Sequence, residues 1–117
     1  MFEENFCNSK SETTPIINVK KATCLNSFFR KEIWTGEHAQ LTVMSIPAGG
    51  EIGLELHDDI DQILVIEYGI ASVYSGKTKN SVDFQGCANS ECAVIIPAGT
   101  YHNVINEQSC PLKILSV

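Results

Sequence analysis

Four side chains that commonly bind metal ions stand at regular spacing in two stretches of this sequence. Glu55, His57 and Gln62 lie between two glycines in Gly49–Gly69, and His102 lies in a second stretch further along the chain. Imidazole nitrogens, a carboxylate and an amide oxygen are ligands that several transition metals accept. These residue types make the two stretches candidates for one shared metal site.

The geometry of a β-strand predicts how the first stretch presents its side chains. Side chains alternate between the two faces of a strand, so Glu55 and His57 point the same way. The run Asp58–Asp61 is polar and short enough for a turn, after which Gln62 opens a returning strand. His102 must arrive from a distant strand, which a closed barrel permits.

The same alternation has a simpler interpretation, which the residues alone leave open. In an ordinary half-buried strand, Glu55 and His57 would form the solvated face. Ile52, Leu54 and Leu56 would then form the face that packs on the core. Periodicity does not separate this strand from a metal site, because both have the same alternation of polar and apolar residues.

The two stretches together resemble the paired motifs of the cupin superfamily. The first cupin motif is usually written G-x5-H-x-H-x(3,4)-E-x6-G, and the second G-x5-P-x-G-x2-H-x3-N. Every spacing in this sequence fits both motifs. Three identities differ: Glu55 replaces the first His, Gln62 replaces the Glu, and Glu91 replaces the Gly that begins the second motif. The Glu-x-His and Gln variant is similar to a subgroup of small single-domain cupins often labelled mannose-6-phosphate isomerase-like.

The resemblance implies a fold and a ligand set. The fold would be all-β, the double-stranded β-helix or jelly-roll barrel, with a metal held by Glu55, His57, Gln62 and His102. The cofactor would be one divalent transition metal: Mn, Fe, Ni, Co or Zn. One carboxylate and three neutral ligands give the same formal charge as the usual three His and one Glu. The absence of Cys from the set argues against a closed structural zinc site.

The function that the resemblance implies is broad, because one fold hosts many chemistries. A metal-dependent enzyme, either an isomerase or an oxygenase, would act on a small sugar or another small polar metabolite. No catalytic residue stands out beyond the metal ligands. A metal-free cupin pocket, a non-catalytic binding or sensing module and a structural barrel with a vestigial site are the alternatives.

Three further residues near the motifs are candidates for supporting roles. Asp61 would accept a hydrogen bond and orient a ligand, or serve as a turn aspartate. Tyr101 would face the pocket mouth, or form a half-buried strand aromatic. Asn106 would contact the pocket, or tie a strand end by hydrogen bonds.

The composition restricts the partners and the compartment. The 117 residues, 44% hydrophobic and 19% charged, suffice for one globular domain. A formal charge of −6 disfavours nucleic acid and anionic membranes as partners. No run approaches the ~20 apolar residues of a membrane helix, and the start lacks the features of a signal peptide. The odd number of cysteines, five, predicts free thiols. Without a signal peptide a cytoplasmic protein is the expectation, and the resemblance implies a small molecule as its ligand.

Short runs of alternating or apolar residues between Gly and Pro turns predict the elements of this all-β chain. Residues 1–14 are polar and aperiodic and predict a flexible tail, and residues 15–117 form a single barrel domain. Pro15–Val19 predicts a short edge strand, which in small cupins often crosses to a partner subunit. We expect further strands over Phe28–Trp34, Gln40–Ile46, Glu51–His57, Gln62–Tyr68, Ala71–Ser75, Val82–Phe84, Cys92–Ile96, Tyr101–Asn106 and Leu112–Val117.

Two of these strands predict an oligomer. Gln62–Tyr68 and Cys92–Ile96 are apolar at nearly every position, which indicates burial on both faces. In a barrel of this size one face lines the interior. A second subunit would cover the other face, so we expect a homodimer.

Overall fold

Eight strands and one short helix form the part of the chain that the computed structural model describes, residues 13–117. In chain order they are α1 (Val19–Leu25), β1 (Arg30–Thr35), β2 (Gln40–Ile46), β3 (Gln62–Tyr68), β4 (Ala71–Gly76), β5 (Asp83–Ala88), β6 (Ala93–Ile96), β7 (Tyr101–Ile105) and β8 (Leu112–Ser116). One sheet has the strand order β1-β2-β8-β3-β6, and the other has the order β5-β4-β7. All these strand pairs are antiparallel. The predicted all-β fold class is confirmed.

The main hydrophobic core lies between the inner faces of the two sheets. Met44, Leu64 and Ile114 of the larger sheet pack in one buried cluster with Val73 and Val104 of the smaller sheet. Cross-strand partners share a face of a sheet, so the even-numbered residues of β2 and β8, and those of β3 from Gln62 to Ile66, face this interior. Beyond Ile66 the register shifts, and Tyr68 pairs with Lys113. The interior of the barrel is therefore defined strand by strand, which matters for the site.

Two strands lie where they were expected, one predicted from alternation and the other from a nearly continuous apolar run. β2 and β3 have the predicted bounds, Gln40–Ile46 and Gln62–Tyr68. β5 is longer than the predicted Val82–Phe84 and extends to Ala88. It is an edge strand paired with β4 alone, and most of its side chains are exposed. Its polar composition reflects that exposure and not a loop conformation.

The predicted edge strand Pro15–Val19 is wrong, because this region instead leads into a helix. Asn18 caps α1, its side-chain oxygen accepting the N–H of Lys21 at 3.0 Å. Ile17, Val19 and Ala22 pack on the outer face of the larger sheet, in a second apolar cluster that includes Val43, Ile33 and Leu115. The helix thus covers part of that face. It has seven residues, and within residues 13–117 no helix has the length and hydropathy of a membrane span.

Several expectations fall on the N-terminal residues. The predicted tail, residues 1–14, lies outside the described residues except for Thr13 and Thr14, and so does Cys7. The crossing of an N-terminal strand to a partner subunit stays a prediction. In the described residues Cys24, Cys87, Cys92 and Cys110 are free thiols, in agreement with the expectation for them.

Helix α1 leaves the far end of the outer face uncovered. Ile63 and Ile95 are cross-strand partners on β3 and β6, and they are 39% and 61% exposed. The backbone of Ile63 also pairs with Val117, which is 46% exposed. These three residues, which we call the outer apolar patch, are the surface that a second subunit would bury.

The first prediction concerns this outer apolar patch. Light scattering at micromolar concentration should give twice the mass of one chain, because burial of a paired apolar surface favours association. Ile95→Glu should return the mass to that of a monomer, since it places a charge in the contact. Phe84→Glu, at a 55% exposed position of the smaller sheet, is the control and should stay dimeric. A monomer mass for the unmodified protein would contradict the prediction.

Candidate metal centre

The two motifs are hydrogen-bonded to each other along their backbones. Residues 49–57 run beside β7, and the N–H of Ile52 donates to the carbonyl of Val104 at 2.9 Å. Glu55 and His102 exchange two hydrogen bonds, of 2.9 and 3.0 Å. Residues opposite one another in an antiparallel pair present their side chains on the same face. The backbone pairing therefore brings a residue of the first motif beside one of the second.

The predicted strand Glu51–His57 is wrong as a regular element, because Gly53 interrupts it. Isolated bridges remain at Glu51 and Glu55. Two residues, Gly53 and Leu54, stand opposite the single residue Asn103, which is the arrangement of a β-bulge. Gly53 has φ of 102°, a conformation that glycine adopts without the penalty of a Cβ. The Asn103 side chain fixes the bulge by accepting the Gly53 N–H at 2.9 Å.

The bulge decides which residues of this segment face the interior. In a regular strand Ile52 and Glu55 would lie on opposite faces, three residues apart. With one extra residue inserted, both face inward: Ile52 packs against the main core, and Glu55 lies beside the buried His102. Leu54 is instead 44% exposed. The ordinary half-buried strand, with Leu54 in the core and Glu55 in solvent, is therefore not what the chain forms.

Three of the four predicted ligands come together in the barrel. Metal-binding atoms of Glu55, His57 and His102 all lie within 4.8 Å of one another. His102 is 1% exposed, and its Nε2 is 3.5 Å from Glu55 Oε1. The centroids of the His57 and His102 rings are 5.7 Å apart. This cluster is the candidate metal centre.

The hydrogen bond on the other side of the His102 ring determines which ring nitrogen carries the hydrogen. Nδ1 lies 3.0 Å from the carbonyl oxygen of Thr100. A carbonyl only accepts, so Nδ1 carries the hydrogen and the Nε2 of the neutral ring has a lone pair. That lone pair and the Glu55 carboxylate are two acceptors facing each other at 3.5 Å. A cation between them satisfies both.

Gln62, the fourth predicted ligand, lies on the inner face of β3 as the partner of the buried Ile96. Its Nε2 donates to Ser116 Oγ at 2.9 Å, and in this orientation of the amide Oε1 is the remaining atom. Among residues 13–117, Gln62 Oε1, His57 Nε2 and His102 Nε2 are buried without a hydrogen-bond partner. Buried polar atoms are rarely left unpaired in proteins. The two imidazole nitrogens belong to the Glu55, His57 and His102 cluster and fit a metal ion there, and Gln62 Oε1 is a further oxygen on the inner face.

The predicted supporting residues hold the backbone around the centre. Asp61 Oδ1 accepts the N–H of Ala98 at 2.8 Å, and so ties the corner before β7 to the turn before β3. Asn106 is fully buried and donates to three backbone carbonyls, those of Ile46, Pro47 and Cys110. Asn106 is thus a strand-end tie.

Tyr101 has a different position from the one expected for a pocket residue. It is half-buried and directly precedes His102 in β7. Adjacent side chains of a strand point to opposite faces, so Tyr101 faces away from the side of the strand that carries His102. This placement argues against a role inside the pocket and favours the half-buried strand aromatic.

Sequence reasoning missed one residue of the centre, Arg30. Its Nη2 lies 3.6 Å from Glu55 Oε2, opposite the side of the carboxylate that faces His102. The predicted strand containing Arg30 carried no signal for a site, because the side that it faces depends on the register between β1 and β2. That register pairs Arg30 with the buried Met44, and it is a tertiary feature.

Comparison with known proteins places the fold and the family. No family model matches the chain. A cupin superfamily protein of Desulfitobacterium hafniense, DSY2733, has a TM-score of 0.68 at 16% identity, covering 95% of this chain and 94% of that one. The fold is accordingly the cupin barrel, as the motifs predicted.

A nearer structure identifies the family. The crystal structure of BH2720 from Bacillus halodurans has a TM-score of 0.84 at 39% identity, over 95% of this chain and 83% of that one. This chain belongs to the same family as BH2720. The uncharacterized protein YrkC of Bacillus subtilis is 45% identical over 102 residues, which are 87% of this chain and 55% of YrkC. The chain thus spans about half the length of this curated relative.

The second prediction tests the bulge at Gly53. Gly53→Ala should lower the free energy of unfolding by roughly 1–3 kcal/mol, because a side chain disfavours this backbone conformation. It should also weaken metal binding, since relief of the strain shifts Glu55 relative to His102. Denaturant unfolding and metal titration measure the two effects.

The control for this test is the neighbouring residue. Leu54→Ala removes an exposed side chain and should change both quantities little. Metal binding by Gly53→Ala at the affinity of the unmodified protein would show that the bulge does not position Glu55.

Proposed function

We propose that this chain is a metal-binding cupin with one divalent transition metal held by Glu55, His57, Gln62 and His102. The observation that carries the proposal is the pair of acceptors, His102 Nε2 and Glu55 Oε1, facing each other in the interior. Two further buried polar atoms without a hydrogen-bond partner, His57 Nε2 and Gln62 Oε1, add to it. Together the four residues offer two nitrogens and two oxygens.

The donor set restricts the metal to a group. Mixed nitrogen and oxygen ligation suits Mn, Fe, Co, Ni or Zn, and intrinsic affinity alone does not select among them. One carboxylate among three neutral ligands leaves a net positive charge on a divalent centre. Four protein ligands also leave positions of a six-coordinate ion open to water or substrate.

The reaction that we propose is metal-dependent isomerisation or oxygenation of a small polar metabolite. The metal would supply Lewis-acid or oxygen-binding chemistry. The chain would supply orientation: the Thr100 carbonyl fixes the His102 ring, and Ser116 fixes the Gln62 amide. Thr42 and Ser116 are buried polar residues of the inner face near these ligands, which favours a polar substrate.

The third prediction removes one imidazole. His57→Ala should lower metal affinity by at least about 100-fold while the barrel stays folded, because lost ligation exceeds the 10–100-fold cost of losing an outer-shell partner. His102→Leu should do the same, because it removes the ligand atom and keeps a side chain of similar volume in the core. Elemental analysis after loading with Mn, Fe, Co, Ni or Zn measures occupancy, and circular dichroism confirms the fold.

A matched control is the remaining histidine. His38 has a side chain that is 88% exposed, so His38→Ala should bind metal as the unmodified protein does. The four-ligand centre is wrong if no tested metal binds the unmodified protein. It is also wrong if both imidazole variants bind as well as the control.

The fourth prediction uses the unusual Gln. Gln62→Glu adds a second carboxylate to the ligand set, so a ligand at this position should bind metal more tightly or change which metal is retained. The Ser116 hydroxyl can rotate to donate to the new carboxylate, which keeps the side chain in place. Competition titrations between Mn and Zn measure the change.

The control for the added charge lies on the other sheet. Gln85 is exposed on β5, and Gln85→Glu should leave both metals unaffected. Equal metal binding by Gln62→Glu and the unmodified protein would exclude Gln62 from the ligand set.

A further inference from the structure

Arg30 faces the interior of the barrel from its edge strand. The register of β1 and β2 pairs Arg30 with Met44, a core residue that is 1% exposed. Cross-strand partners share a face, so the Arg30 side chain is directed to the inner side. Its guanidinium ends 3.6 Å from Glu55 Oε2.

Arg30 is the basic side chain that the described strands direct inward. The two lysines on these strands lie on the outer face. Lys31 pairs with Val43 of the outer cluster, and Lys113 pairs with Ser45. Lys113 is already engaged, its ammonium donating to Asn26 O and Ser45 Oγ. The positive charge of Arg30 at the metal centre is therefore a local feature, since the chain as a whole has a formal charge of −6.

The ion pair with Glu55 leaves most of the Arg30 donors free. At 3.6 Å it is longer than a charge-assisted hydrogen bond, and the Arg30 side chain is 45% exposed. Such exposed pairs contribute little to stability. A guanidinium has five N–H donors in a planar fork, so it retains donors for a ligand while it lies beside Glu55.

The inner face around Arg30 is polar at one end of the barrel. The register places Glu32, Thr42 and Ser116 in one row across β1, β2 and β8. Thr42 and Ser116 are 4% and 8% exposed. The opposite end of the same strands carries Ile46 and Leu112, both fully buried. Arg30 lies in the row between these two, beside the apolar Met44 and Ile114, so ligand polarity is expected on the Glu32 side of Arg30.

We propose that Arg30 binds the carboxylate of a small organic acid, which is the ligand class of this site. The inference rests on the metal centre proposed above. The planar fork of Arg matches two carboxylate oxygens. Glu55 has the Arg30 guanidinium beside one oxygen and the metal centre beside the other. An acid with a hydroxyl or carbonyl next to its carboxylate would therefore contact Arg30 and an open metal position together.

The experiment uses the Co²⁺-loaded protein and follows its visible absorption as a probe is added. The probes are glycolate, its neutral analogue ethylene glycol, and inorganic phosphate, in a buffer free of other carboxylates. Glycolate should change the spectrum with saturation, and ethylene glycol should not. Arg30→Gln should weaken glycolate binding at least 10-fold at unchanged Co²⁺ content, and Arg30→Lys should show a smaller loss.

The matched control is the adjacent residue. Lys31→Gln removes the same charge from the outer face of the same strand, so it should bind glycolate as the unmodified protein does. An equal loss in Lys31→Gln would mean that overall charge, and not Arg30, determines binding, and would overturn the proposal.

The remaining outcomes separate this inference from the proposed metal centre. A protein that takes up Co²⁺ but does not bind glycolate, or binds it equally well as Arg30→Gln, overturns the inference and leaves the metal centre standing. Binding of phosphate alone, with the same dependence on Arg30, overturns the carboxylate assignment in favour of a phosphorylated ligand. A protein that takes up no Co²⁺ overturns the metal centre and the inference with it.

Discussion

The backbone pairing between residues 49–57 and β7, with one extra residue at Gly53, is the constraint on which the site depends. It sets Glu55 opposite His102 through two reciprocal hydrogen bonds, and it turns Glu55 inward beside the apolar Ile52. The penalty for a side chain at the φ of Gly53 would be roughly 1–3 kcal/mol, so glycine is the residue that suits this position. Without the extra residue, the register that pairs Glu51 with Ile105 would place Glu55 opposite Tyr101 and direct its carboxylate away from His102.

The buried acceptors explain why the interior is organised for a cation. A polar group buried without a partner costs about 1–3 kcal/mol, and three such atoms are found among the described residues. A typical domain has about 5–15 kcal/mol of net stability, so three unpaired groups would use a large share of it. A metal ion held by these residues would remove such penalties. The fold and the ligand set are therefore coupled, because the strands that close the barrel also bring these atoms inside.

Much of this arrangement could be predicted from sequence, and the failures have a common cause. β2 follows from alternation and β-branched residues, and β3 follows from a nearly continuous apolar run. The spacing of the two motifs located Glu55, His57 and His102. The signal was local in each case. The bulge at Gly53, the length of the edge strand β5 and the orientation of Arg30 depend on which strands pair and in what register. Helix α1 was missed for a related reason: its seven residues are too short for a helical period, and packing on the larger sheet stabilises it.

The predicted metal ligands and Arg30 lie on different parts of the barrel. The predicted metal ligands lie on β3, β7 and the segment beside β7, which carry backbone hydrogen bonds on which closure of the barrel depends. Arg30 lies on β1, an edge strand with β2 as its neighbour in the sheet. A substitution at Arg30 alters a partly exposed side chain, whereas one at His102 alters the core. The charge that faces a ligand can therefore change at little cost to the metal centre, which is how one cupin scaffold can keep its ligand set while it selects different molecules.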